Sequence, residues 1–350
     1  MTPRSPTLFL FINMTDEHHY LTSTLLHWYK QHGRNLPWRN TNDAYAIWLS
    51  EIILQQTRIA QGTDYWYRFM ERYPNVEMLA KATEDEVLRL WQGLGYYSRA
   101  RNLLKAARQI TELGHFPNTA AEISKLKGVG PYTSAAIGSL AFNLPMAAVD
   151  GNVYRVLSRY FGISIPINTT EGKHTFQALA QSLLPPYEAG TFNQALMDFG
   201  AIQCTPASPA CPQCPLAESC TAYRKGLVGQ LPVKLRNLKI CERRFTYLYI
   251  RCHGEVAIHR RKKGDIWQGL WEPFLSEDGS ASLCHSSARL IRGNVKHVLT
   301  HQVIYADFYL LNVNAKPALP DDYIWIKETD FDSYGKPRLV EKMLRMLAED

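Results

Sequence analysis

Two carboxylates in this chain stand where a carboxylate could do acid or electrostatic work. Glu51 lies in Ala46-Ile47-Trp48-Leu49-Ser50-Glu51-Ile52-Ile53-Leu54-Gln55-Gln56-Thr57, a run that is apolar on both sides of it. Such a residue is either solvated on a helix edge or partly buried with its pKa raised, and the second state makes a general acid at neutral pH. Asp150 lies in Ala148-Val149-Asp150-Gly151-Asn152-Val153-Tyr154-Arg155-Val156, just ahead of a helical pattern. There it can cap the helix, held ionised and fixed in orientation, which is compatible with a catalytic role. Cys204, Cys211, Cys214 and Cys220 follow the spacing Cys-x6-Cys-x2-Cys-x5-Cys, while Cys241, Cys252 and Cys284 are scattered. Crowding of this kind points to metal rather than to a disulfide framework. Four soft thiolates suit an iron–sulfur cluster or zinc, and structural zinc usually takes two close pairs where this loop has one. Pro206, Pro209, Pro212 and Pro215 hold the loop extended, and the spacing leaves no open metal position for hydrolysis.

A fourth feature is Leu126-Lys127-Gly128-Val129-Gly130-Pro131-Tyr132-Thr133. Pro131 suits a first helical position, and the two glycines permit a tight turn whose N–H groups can face an anion at the helix start. A plain interhelical turn has the same signature.

These residues need elements to place them. The chain has 350 residues, 46% hydrophobic and 20% charged, an ordinary globular composition long enough for two domains. No apolar run approaches the ~18–20 residues of a membrane span. Leu8 to Ile12 is too short for a signal peptide, so residues 1–14 read as a loose extension and a cytoplasmic, monomeric protein is expected. The net charge of +7 is compatible with a polyanionic partner without requiring one. Up to about residue 200 the apolar residues recur at helical spacing, as in Leu21, Leu25, Trp28, Tyr29 and in Val87, Leu90, Trp91, Leu94. Residues 226–243 read as a connector. Beyond it lie β-rich runs, Phe245–Cys252, Glu255–Arg260, Val303–Val313 and Tyr323–Lys327, with a helix after Pro337. The expectation is a helical domain over 15–225, with the Gly-rich hairpin near 119–142 and the cysteine loop at 204–220, followed by an α+β domain over 244–350.

The order of Leu36-Pro37-Trp38-Arg39, Trp48-Leu49-Ser50-Glu51, Leu54-Gln55-Gln56-Thr57, Gly93-Leu94-Gly95-Tyr96-Tyr97-Ser98-Arg99-Ala100-Arg101-Asn102-Leu103, Gly128-Val129-Gly130, Val149-Asp150-Gly151-Asn152-Val153 and the four cysteines resembles that of MutY adenine DNA glycosylases, in the endonuclease III superfamily. The resemblance is strong over residues 20–225 and looser beyond. It implies a multidomain chain with an all-α helix-hairpin-helix glycosylase domain, a 4Fe-4S cluster on Cys204, Cys211, Cys214 and Cys220, and an α+β Nudix-like domain. It implies that double-stranded DNA carrying A:8-oxoguanine or A:G mispairs is the partner, held in part at Gly128 and Gly130. The strand-cutting relatives place a lysine where this chain has Tyr132, and tyrosine cannot form their Schiff base, so the reaction implied is monofunctional hydrolysis. The target base must be extruded from the duplex. Gln55, Gln56 and Tyr96 resemble the residues that wedge into the stack, and Trp38, Arg39 and Leu54 resemble adenine contacts. Glu51 would protonate adenine at N7, Asp150 would stabilise the positive charge developing on the sugar, and Asn152 and Tyr132 would position them.

The resemblance extends to Gly269-Leu270-Trp271-Glu272-Pro273-Phe274, matched to a turn after a strand of the Nudix-like domain. No Arg-Glu-x-x-Glu-Glu run is present to hold magnesium, so this domain is expected to bind rather than hydrolyse. The family's lesion-contact loop, commonly Phe-Ser-His, corresponds to Leu299-Thr300-His301 here; Thr300 keeps a hydroxyl for the lesion edge, while Leu299 lacks the ring. Two other readings remain. A strand-cutting glycosylase for oxidised pyrimidines is opposed by Tyr132 and the extra domain, and a silent damage sensor by the presence of both carboxylates.

Overall fold

The computed structural model describes residues 15–235, 240–277 and 287–349. The proposed extension at 1–14, part of the connector and Cys284 lie outside the described residues. The helices are α1 (Thr15–His32), α2 (Ala44–Leu54), α3 (Ile59–Arg72), α4 (Val76–Lys81), α5 (Glu84–Leu90), α6 (Ser98–Leu113), α7 (Ala120–Ile123), α8 (Pro131–Phe142), α9 (Gly151–Phe161), α10 (Thr170–Leu183), α11 (Ala189–Asp198), α12 (Thr221–Arg224) and α13 (Arg338–Glu349). The strands are β1 (Cys241–Cys252), β2 (Glu255–Arg260), β3 (Trp271–Glu277), β4 (Arg289–Val298), β5 (Gln302–Val313) and β6 (Tyr323–Lys327). No described helix is long and apolar enough to cross a membrane.

Backbone contacts divide the chain into two compact units, Met1–Trp66 with Gln109–Arg236, and Tyr67–Arg108 with Asn237–Asp350. The helical segment 67–108 therefore groups with the sheet, a division that no single boundary at the connector describes.

In the first unit, α2 has apolar residues all round and is buried from Tyr45 to Ile53, as a central helix must be. Its start is fixed by Asp43, whose carboxylate accepts from the Tyr45 N–H at 2.9 Å. The small residues of α8 let other segments come close. A Cβ on Gly190 of α11 would lie 2.6 Å from the Ser139 carbonyl, and one on Gly138 would lie 2.8 Å from Met146 Sδ. Leu21, Leu25 and Trp28 of α1 pack with Val153, Val156 and Leu157 of α9, Phe176 of α10 and Phe192 of α11 in the main core. Each such side chain contributes about 1.5–3 kcal/mol on burial, which holds the helix ends that carry the chemistry in register.

The second unit contains a six-stranded sheet in the order β4-β5-β1-β3-β2-β6, with β1 and β5 parallel and the other pairs antiparallel. Phe245, Tyr247, Phe308 and Ile258 face a core closed by Leu339, Val340 and Met343 of α13, and Leu248, Ile250, Ala257 and Leu311 form a smaller cluster.

The sheet departs from the sequence reading at three points. Strand β1 starts at Cys241, because Cys241–Arg244 pair in parallel with Gln302–Tyr305 although their side chains are largely exposed. Neither β3 nor β4 is among the β-rich runs read from the sequence. Only Gly269 and Leu270 of the segment matched to a turn lie outside β3, whose Pro273 masks the strand pattern. Strand β4 is an edge strand with register shifts around Arg292, so its alternation is broken. The first part of the connector is also less free than expected: the Ile167 N–H donates to the Val233 carbonyl at 3.0 Å, and the Leu235 N–H to Asn168 Oδ1 at 2.9 Å.

Candidate active site

Four elements of the first unit bring the proposed catalytic groups together. Glu51 is on α2, Tyr132 is on the first turn of α8, Asp150 caps α9, and Arg39 ends the short turn Pro37–Arg39. Glu51 is only 8% exposed. Burial and the nearby charge of Asp150 drive its carboxyl up to about 7, against the opposing effects of a hydrogen bond from Tyr132 and the Arg39 guanidinium. The Tyr132 hydroxyl also lies 3.4 Å from Met197 Sδ, and burial, with the charges of Glu51 and Asp150, raises its own pKa well above the usual tyrosine value. The Glu51 carboxyl and the Tyr132 hydroxyl thus hydrogen-bond, and the charge of Asp150 reaches both.

Asp150 is held more tightly than a helix cap alone requires. Its Oδ1 accepts from the backbone N–H groups of Asn152 and Val153, both at 2.8 Å, and Oδ2 accepts from Asn152 Nδ2 at 2.7 Å. Orientation is fixed, as expected of an N-cap. Burial raises the carboxyl above its ordinary value, and the N–H donors, Asn152 and Arg155 partly pull it back. Arg155 Nη2 donates to Asn152 Oδ1 at 2.7 Å and to the Gly200 carbonyl at 2.8 Å, while its Nε donates to the Cys204 carbonyl at 2.7 Å. Gly200 is needed there, since a Cβ would come within 2.6 Å of Asn152 Cβ.

The Arg39 guanidinium is clamped by Asp198, a fully buried carboxylate that accepts from Arg39 Nη1 at 2.7 Å and Nη2 at 2.9 Å. It also accepts from the Arg34 backbone N–H at 2.9 Å and from Arg34 Nε at 2.8 Å. Burial alone would raise Asp198, but these donors carry it below its ordinary value. Sequence reasoning missed Asp198, Arg34 and Arg155. A lone acid in the apolar stretch before Cys204 is the same kind of signal that singled out Glu51, and could have found Asp198.

The four cysteines line one cavity with Arg159, Phe199 and Leu216. Among the described residues no group of His, Cys, Asp or Glu side chains is placed to hold a single metal ion. Burial raises the Cys214 thiol to about 11, with further contributions from Cys204, Cys220 and Cys211. Arg159 ties the loop down: Nη1 is 3.4 Å from Cys204 Sγ and donates to the Thr205 carbonyl at 2.7 Å, Nη2 donates to Pro206 O at 3.0 Å, and Nε donates to Leu231 O at 3.0 Å. Four half-buried soft donors around one cavity, with a neighbouring cation, fit an anionic cluster of several metal atoms.

The family model described as HhH-GPD superfamily base excision DNA repair protein matches residues 49–186, and a NUDIX domain model matches residues 246–346. The adenine DNA glycosylase of Buchnera aphidicola subsp. Baizongia pistaciae is 33% identical over 334 residues, covering 92% of this chain and 95% of that protein. The chain belongs to the MutY adenine DNA glycosylases. The Mus musculus adenine DNA glycosylase is 46% identical over 60% of this chain and 43% of its own length. Among solved structures, a thermostable thymine-DNA glycosylase is 34% identical with a TM-score of 0.57, covering 61% of this chain and all of that one. This MutY-type chain is a DNA glycosylase of base-excision repair, with a helix-hairpin-helix domain followed by a Nudix-like one.

In this glycosylase the hairpin joins α7 to α8. Gly128 has φ of 80°, a left-handed conformation that favours glycine, whereas Gly130 is extended and a Cβ on it would meet open space. Only the first glycine is required by the turn; the second leaves the α8 N-terminus approachable. Trp38 is buried against Trp66, with ring centroids 5.9 Å apart, and Leu54 is half-buried at the end of α2. Gln55 Nε2 donates to Thr133 Oγ1 at 3.1 Å, and Gln56 is exposed with φ of 58°.

Tyr96, Thr300 and His301 belong to the second unit, where the structure does bring them together. Tyr96 is 46% exposed with φ of 45°, and its hydroxyl hydrogen-bonds Thr300 Oγ1. Both line a cleft of about 440 Å³ with Trp267, Leu299, His301 and Arg101. Left-handed backbone at non-glycine residues stores strain that folded proteins keep mainly where function uses it.

Proposed function

We propose that the protein excises adenine mispaired with 8-oxoguanine or guanine, by hydrolysis and without cutting the strand. The observation that carries this reading is the buried Glu51 carboxyl, raised to about 7, hydrogen-bonded to Tyr132 and within reach of the Asp150 charge. A proton from Glu51 passes to adenine N7. The C1′–N9 bond then breaks with its electrons going to the base, which leaves neutral. Asp150, pinned by three donors, stabilises the oxocarbenium left on the sugar. Water adds its oxygen to C1′ and releases a proton, which restores Glu51. Arg39, held rigid by Asp198, and Trp38 and Leu54 shape the base pocket. Tyr132 offers no amine, so no covalent imine forms and the strand stays whole. Gln55, Gln56 and Tyr96 fill the stack after extrusion, and Thr300 and His301 meet the opposite base, with the Thr300 hydroxyl as the hydrogen-bonding group.

On this reading Cys204, Cys211, Cys214 and Cys220 hold a 4Fe-4S cluster. When bound, the cluster cross-links the loop and supplies no step of the hydrolysis. Purified protein is expected to contain iron and acid-labile sulfide in equal amounts, and Cys211→Ser is expected to lose most of both with a lower melting temperature. Protein carrying zinc and no sulfide would exclude the cluster.

The reaction is tested with duplexes holding A opposite 8-oxoguanine, G or T, and T opposite G. Free adenine is expected from the first two, with strand breaks only after alkali. The fold alone does not set the base, since a thymine-DNA glycosylase shares it. Release of thymine, nicking without alkali, or no release at all would each overturn the proposal.

A further inference from the structure

We infer that Arg338 and Lys342 on α13, beside His297 on β4, form a cationic ledge that docks the phosphate backbone of duplex DNA beside the Leu299–His301 loop. This rests on the function proposed above. Helix α13 packs on β4. Its Leu339, Val340 and Met343 are fully buried, which turns Arg338, and Lys342 four residues on, along one flank of the helix. Arg338 is exposed and Lys342 is half-buried. Burial, and after it the charges of Lys342 and Arg338, hold the His297 imidazole below its ordinary value. The His297 ring sits edge-on to Trp267, with centroids 5.7 Å apart, so the ledge adjoins the cleft that Trp267 shares with Tyr96 and Thr300.

The neighbouring basic residue shows what is unusual. Lys336 is buried and donates to the Phe331 carbonyl at 2.9 Å, with Asp332 3.2 Å away. Among the described residues neither Arg338 nor Lys342 forms an ion pair, and Glu341 between them accepts instead from the Gln92 amide. Gathered like charge without internal relief is unfavourable for the fold and favourable for an external polyanion. His297 lies three residues before Thr300, which sits in the turn between β4 and β5, closed by the Leu299 N–H donating to the Gln302 carbonyl at 2.8 Å. A base held at the loop would bring its flanking phosphates over the ledge. Contacts of this kind position DNA and carry no sequence information.

Binding to an undamaged duplex across a salt series tests this. Arg338→Ala with Lys342→Ala is expected to bind about tenfold more weakly near physiological salt, with the slope of log K against log salt shallower by about 2. Single-turnover excision at saturating enzyme is expected to match the parent. The charge-preserving pair Arg338→Lys with Lys342→Arg is expected to keep the parent slope. An alanine pair with the parent slope overturns the ledge, and so does a charge-preserving pair as shallow as the alanine one, which would make the effect one of packing. If the parent excises adenine as proposed, those failures remove the ledge alone. A parent that neither binds nor excises removes the functional reading beneath it.

Discussion

Glu51→Gln is expected to release adenine from an A:8-oxoguanine duplex roughly 10³-fold more slowly than the parent, with duplex affinity unchanged. Glutamine keeps the shape and the polar end of the side chain but has no proton to give. The pH profile makes the expectation sharper. With its carboxyl at about 7, parent Glu51 is mostly protonated below that pH, so excision should fall about tenfold per unit above it. The residual rate of the variant should lack that limb. Stability falls in the same direction with pH. A carboxyl raised from 4.5 to about 7 binds more protons in the folded state, so its contribution is complete below about 4.5 and is lost as pH rises through 7. The difference amounts to about 3 kcal/mol. The glutamine variant should therefore be more stable than the parent at pH 8 while being far less active, as checked by denaturant unfolding. A variant with the parent's rate, or with its alkaline limb intact, would remove Glu51 as the acid.

Asp150→Asn is expected to reduce excision by roughly 10³-fold while leaving fold and duplex binding in place. Asparagine caps helices about as well as aspartate, so its oxygen can still accept from the Asn152 and Val153 N–H groups. The substitution removes the negative charge and the hydrogen bond that Asn152 Nδ2 gives to Oδ2, and keeps the two backbone ones. Because burial raises the parent Asp150 carboxyl above its ordinary value, the parent should also lose rate on the acid side as this group protonates. Asn should abolish that dependence. Single-turnover rates between pH 5 and 9 check both limbs, and an Asn variant that turns over like the parent would show that the fixed charge has no part in bond cleavage.

Some of this was legible before any fold was known. Glu51 could be singled out because an acid amid apolar neighbours is costly unless it serves a purpose, and Asp150 because Asp-Gly-Asn before an apolar period is a cap signal. The crowded cysteines pointed to metal by residue type and spacing alone. Asp198 was not singled out, since its meaning comes from Arg34 and Arg39, more than 150 residues earlier. Strand β4 was missed because an edge strand with shifted register need not alternate. The segment 67–108 reads as one more stretch of helical domain, and only its packing assigns it to the unit containing the sheet.

By itself, then, the sequence determined the kinds of chemistry present: two carboxylates, a thiolate loop, a glycine hairpin and a tyrosine in place of an amine. These follow from residue types and short spacings, which are local properties of a chain. The tertiary structure decided the protonation of Glu51, the rigidity of Arg39 and the pairing of Tyr96 with Thr300. Each of these depends on burial and on partners distant in sequence, and both arise only when the chain packs.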